Sequence, residues 1–162
     1  MKLPILVSSL LIAGSASAQL PGLGLISSSG ARIGFFFPSN DQGKALGKQW
    51  TVIGFDTRLG PKIGPVELEA SVDYYERNGG RNVATLLNGR FRIGKSLSLS
   101  AGTGVGFERV PGVTSRTSSN SQISARYEFS TTGVGGLFFE ARYYASRAKQ
   151  LQGVGFLVGI RF

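Results

Sequence analysis

The side chains with the greatest capacity for chemistry in this sequence are carboxylates and guanidiniums, and they recur two positions apart. Glu67, Glu69 and Asp73 fall on the odd positions of one stretch, with Ser71 between them. In an extended chain that spacing puts all four on one face. Three acids on one face offer the oxygen ligands a divalent cation takes. The same spacing recurs with both signs: Asp56 with Arg58, Arg90 with Arg92, Arg126 with Glu128, and Glu140 with Arg142. Arg32, Glu108 and Arg161 complete a set of seven acids and seven arginines. Equal numbers of opposite charge favour a buried, mutually paired network over capture of a cation, because arginine presents several donors to a carboxylate. No metal site is expected.

Catalysis has little to work with. The chain contains no His, so no side chain titrates near neutrality to serve as base for a serine or a water. It contains no Cys, which excludes a disulfide scaffold and a thiolate metal site. Gly102-x-Gly104-x-Gly106 departs from G-x-G-x-x-G and sits inside an alternating stretch, so it is not a nucleotide loop. No cofactor and no enzymatic activity are expected.

The elements that must carry these charges are strands. From Gly64 to Tyr75, Val66, Leu68, Ala70, Val72 and Tyr74 alternate with the acids. Similar alternation predicts strands over Ala31 to Phe37, Lys48 to Leu59, Asn82 to Ile93, Leu97 to Phe107, Gln122 to Thr131, Gly136 to Ser146 and Gly153 to Phe162. Asn88-Gly89 is a hairpin signal, but the parity runs through it to Ile93, so one strand is expected there. Pro38 to Gly47 and the Ser/Thr-rich Arg109 to Ser121 read as longer loops. Gly60-Pro61-Lys62, Gly94-Lys95-Ser96 and the surroundings of Gly133 read as short turns. No stretch after the N-terminal segment is long and apolar enough for a membrane helix.

The last strand sets Val154, Phe156, Val158, Ile160 and Phe162 on one face, with Gly153, Gly155, Leu157, Gly159 and Arg161 between them. A terminal strand with a bare apolar face would aggregate in water. About ten residues is also the length that crosses a bilayer at a tilt. At the other end, Lys2, an apolar run from Leu3 to Ala13 and Ala16-Ser17-Ala18 have the form of a secretory signal peptide over residues 1–18. Residues 19–162 are then one domain.

These features together resemble the small bacterial outer-membrane β-barrels of the OmpX, OmpA-barrel and OmpW type. The specific motif is the terminal strand Val154, Phe156, Val158, Ile160 and Phe162, which in that family is the signal read by the barrel-assembly machinery. The resemblance implies an all-β, eight-stranded antiparallel up-and-down transmembrane barrel in the outer membrane. It implies short periplasmic turns, longer extracellular loops and the C-terminus at the periplasmic side. Trp50, Tyr74, Phe107 and Tyr143 are then expected in an outer aromatic belt, and Phe91, Phe129, Phe139 and Phe162 in an inner one. A water-soluble barrel would turn the same pattern inside out. The small residues on the charged face, such as Gly102 and Gly155, suit a narrow interior instead. Barrel enzymes of this architecture use a catalytic His, which this chain lacks.

The net charge is +9, and the surplus lies in loops and turns at Lys44, Lys48, Lys62, Arg77, Arg81, Lys95, Arg116, Arg147 and Lys149. On a secreted barrel such charge suits lipopolysaccharide phosphates rather than nucleic acid. The expected partners are therefore outer-membrane lipid and lipopolysaccharide and the assembly machinery, with the chain itself a monomer. The expected role is structural or surface-interacting through the loops, with the lumen plugged by its side chains. The alternatives are a conduit for small solutes and, last, a lipid-modifying enzyme.

Overall fold

The computed structural model describes residues 26–112, 115–129, 136–147 and 151–162. The segment 1–18 expected to be a signal peptide, Lys149 and the turn expected around Gly133 lie outside them. Eight strands are present: β1 (Ile26–Pro38), β2 (Trp50–Ile63), β3 (Val66–Arg77), β4 (Gly80–Ile93), β5 (Leu97–Arg109), β6 (Arg116–Phe129), β7 (Gly136–Ser146) and β8 (Gly153–Arg161). Each pairs antiparallel with the next, and β8 pairs with β1 to close the barrel, with Ile33 opposite Val158 and Phe35 opposite Phe156. Closure leaves no free sheet edge along the seam.

Local chemistry sets the corners. The β3–β4 hairpin turns at Asn78 and Gly79, with φ of 46° and 80°. Both lie in the left-handed region that the Asn-Gly pair tolerates and that matches the twist of a two-residue hairpin. Asn88-Gly89 makes no turn: Asn88 stays in register between Glu69 on β3 and Gly102 on β5.

Alternation decides the two faces. Ile33, Leu87, Phe107, Ile123 and Val158 point outward and are more than half exposed. Asp56, Asp73, Glu69, Arg90, Arg126, Glu140 and Arg142 point inward and are almost wholly buried. The barrel is thus apolar outside and charged inside, the reverse of a barrel built for water.

Two expectations for the long connections need correction. Pro38 to Gly47 is not all loop: Asp41–Leu46 forms a six-residue helix, α1. Asn40 caps it, its side-chain oxygen accepting from the Gly43 N–H at 2.8 Å. Arg109 to Ser121 is mostly strand, since β6 begins at Arg116. Ser118, Asn120 and Gln122 continue the inward parity of the strand. The Ser/Thr/Asn composition hides this because a strand end above an apolar belt has no reason to carry large apolar side chains.

The connection from β5 to β6 therefore spans residues 110–115. Shortening it to a tight turn is expected to leave the urea unfolding midpoint unchanged, because surface loops tolerate deletion. Removing residues 116–121 instead is expected to lower the midpoint, since Ser118, Asn120 and their hydrogen bonds go with it. Equal midpoints for the two deletions would refute the strand assignment.

Candidate functional site

The barrel interior is divided into two layers, and each is placed by the inward parity of all eight strands. Towards the end carrying Phe162 lies a network of charges. Asp56 on β2 is shared by three arginines: Arg32 of β1, Arg126 of β6 at 3.0 Å and Arg161 of β8 at 2.5 Å. Asp73 on β3 pairs with Arg32 at 2.9 Å and with Arg142 of β7 at 2.7 Å. Glu140 joins Arg126 and Arg142, the latter at 2.6 Å. Glu69 receives Arg90, Arg126 at 3.3 Å and Arg161 at 3.4 Å. The guanidinium of Arg126 also lies over the Phe138 ring, 4.3 Å from its centre.

At the mouth the pairs become partly exposed. Arg58 meets Glu128 at 2.6 Å and Glu67 at 3.5 Å, and Arg92 meets Glu67 at 3.2 Å. The acid trio Glu67, Glu69 and Asp73 is therefore divided among arginines. Coulomb attraction and fork-shaped donors occupy the oxygens a cation would need.

Glu108 departs from the expected network. It sits apart, near the loop end, bound by Arg116 at 3.2 Å, by the Ser146 hydroxyl at 2.6 Å and by the Ser118 hydroxyl. Its arginine comes from the stretch expected to be loop, so the pairing was hidden along with the strand.

The second layer breaks the polar composition of the inner face, although the parity of Tyr75 and Tyr144 already places both inside. Phe36, Trp50, Val52, Tyr75, Ala84, Leu86, Tyr144, Leu151 and Leu157 form a buried apolar cluster at the loop end of the interior. Tyr75 and Tyr144 pack with ring centres 5.0 Å apart, and Phe36 meets Tyr75 edge-on at 5.4 Å. Leu46 of α1 packs on top. The cap is held by Asn78, donating to the Leu46 carbonyl at 2.7 Å, and by the Trp50 indole, donating to the Gly47 carbonyl at 3.1 Å. Trp50 thus lies inside, 1% exposed, and not in an outer aromatic belt. Its even number gives it the parity of Asp56; that was the available signal. Leu157 is likewise a core residue.

Beside these layers, neutral polar groups pair off. Asn82 donates to the Tyr144 hydroxyl at 3.1 Å, and Gln122 donates to Asn88 at 2.8 Å. Glycine makes the network possible at Gly54. A Cβ there would stand 1.9 Å from Asp73 Oδ1 and 2.8 Å from Arg32 Nε. Only a residue with no side chain leaves room for that pair.

No protein-family model matches the sequence, and no curated protein matches it. Solved structures do. The outer membrane protein Ail of Yersinia pestis, in a phospholipid bilayer nanodisc, aligns over 84% of this chain and 98% of its own, with a TM-score of 0.53 at 15% identity. The N-terminal β-barrel domain of Pseudomonas aeruginosa OprF aligns over 83% of this chain and 97% of its own, with a TM-score of 0.54 at 15% identity. The chain has the fold of these small barrels. At that identity the likeness concerns the path of the backbone, and the interior layers described above are read from this chain alone.

Proposed function

We propose that this protein is an integral outer-membrane barrel, closed to solutes, that acts at the cell surface through its loop end. The observation carrying this reading is the inverted polarity of the wall. Large apolar side chains such as Phe35, Leu99, Phe139 and Phe156 stand on the outside, while carboxylates and guanidiniums are buried within. Water would reject that surface, whereas lipid requires it, and a closed sheet leaves no wall hydrogen bond unmade in lipid. The fold shared with Ail and OprF supports the same location.

Closure rests on the two interior layers. An eight-stranded barrel has room for little beyond its own side chains. Here a salt-bridged layer and an aromatic layer lie in series, with Leu46 over the second. Refolded into a planar bilayer, the protein is expected to show a heat-shifted gel mobility yet no steady conductance. Large, stable single-channel steps would refute the plug, and a chain that remains soluble without lipid would refute the membrane location. An enzyme is disfavoured by the missing His.

The terminal strand is the proposed recognition element for barrel assembly. Phe162 and Ile63 are both exposed, apolar and near the end that carries the C-terminus. Charge near the membrane interface costs little in itself, roughly 0–1 kcal/mol. Phe162→Asp and Ile63→Asp are therefore expected to refold alike in vitro. In cells Phe162→Asp is expected to reach the membrane several-fold less. Equal insertion in cells would show that the terminal residue is not read.

A further inference from the structure

At the loop end the outward face of β4 and β5 carries two arginines directly opposite each other. Arg81 is in register with Arg109, and both are exposed. Directly opposed residues of an antiparallel pair have Cα atoms only about 4.5–5.5 Å apart. Like charges so placed repel and destabilise the pairing. Glu76 of β3 relieves one side, lying 3.5 Å from Arg81. Among the described residues no acid pairs with Arg109. The next pair down the same outward face is Val83 opposite Phe107, both exposed and apolar, and below it stands Val105. The arginines thus mark the line where the apolar wall stops.

We propose that Arg81 and Arg109 bind the phosphate of a phosphorylated glycolipid of the outer leaflet, whose acyl chains run down over Val83, Phe107 and Val105. The inference rests on the reading that this wall faces lipid. A phosphate placed between two guanidiniums accepts paired N–H bonds from each and cancels their repulsion. A soluble anion would satisfy the arginines equally, but it would leave Phe107 and Val83 as they are. An amphiphile with a charged head and apolar tails matches both halves of the site.

The test is calorimetric titration of the folded protein, in a neutral detergent, with lipid A bearing two phosphates, with its dephosphorylated form and with inorganic phosphate. The wild type is expected to bind phosphorylated lipid A at least tenfold more tightly than the dephosphorylated form. Arg81→Gln with Arg109→Gln is expected to weaken it tenfold or more. The double lysine variant is expected to retain most binding, and Lys44→Gln with Lys48→Gln to retain all of it. Folding of each variant is read from its heat-shifted gel mobility.

Undiminished binding by the double glutamine variant would overturn the site. So would an equal loss in the Lys44 and Lys48 variant, which would mean diffuse attraction. Inorganic phosphate displacing the lipid at millimolar concentration would make the site one for soluble anions and refute the lipid. Flotation with vesicles scores the membrane reading separately: a wild type that does not float refutes that reading, whatever the titrations give.

Discussion

Replacing Asp56 by alanine is expected to cost the folded barrel about 3–5 kcal/mol, the range for removing one partner of a buried ion pair. Asp56 is fully buried and is the meeting point of Arg32, Arg126 and Arg161. Its removal leaves three guanidiniums with less counter-charge in a space that bulk water does not reach. Arg126 retains Glu140 and Glu69, Arg32 retains Asp73, and Arg161 retains Glu69. The cost is therefore that of an imbalance rather than of three orphaned cations. Glu128→Ala is the comparison. Glu128 is 22% exposed at the mouth, where water can solvate Arg58 in its place. Its loss is expected to cost about 1 kcal/mol or less. Urea titration of both variants in the same bilayer measures the difference. Equal midpoints would show that Asp56 is as wet as Glu128 and that the inner layer is hydrated.

Trp50→Ala is expected to have a comparable effect, about 3–5 kcal/mol, because it empties the largest buried side chain from the apolar layer. The wild-type residue also supplies its own probe, being the only Trp in the chain. A buried indole should emit at short wavelength and resist quenching by brominated acyl chains, which surround the wall but not the interior. Strong quenching, or a mutant as stable as the wild type, would place Trp50 outside and dissolve the cap described above.

The residues that mark the faces were legible because a strand's period of two leaves no freedom once one face is known. Val66 to Tyr75 and Gly153 to Phe162 each state which side is apolar, and the barrel topology follows from eight such segments. The charged residues were legible as a group for the same reason. Their division was not, since which arginine meets Glu69 and which meets Asp73 depends on strand stagger around the closed wall. The aromatic layer was legible only in Tyr75 and Tyr144, because its other members are apolar on the polar face. Trp50, Val52, Leu86 and Leu157 break the rule that the rest of each strand obeys, and only position along the barrel explains why. Near the loop end Leu46 of α1 packs on the interior, and apolar side chains fill it in place of charges. The helix escaped as well: six residues with one buried glycine carry no amphipathic period.

Contacts in the charged layer join strands far apart in the chain. Arg161 meets Asp56 across 105 residues of sequence, Arg126 meets the same carboxylate across 70, and Arg142 meets Asp73 across 69. The Arg161 pair belongs to the seam strand β8, and the other two span the interior from β6 to β2 and from β7 to β3, so all three require the sheet to be curled round on itself and act as a latch on the closed wall. A seam opened in lipid would expose strand backbone and unpaired guanidiniums to hydrocarbon at once. Parting the seam and losing the whole fold are then expected to be coupled. Unfolding in lipid is then expected to be slow and to lack a half-open stage.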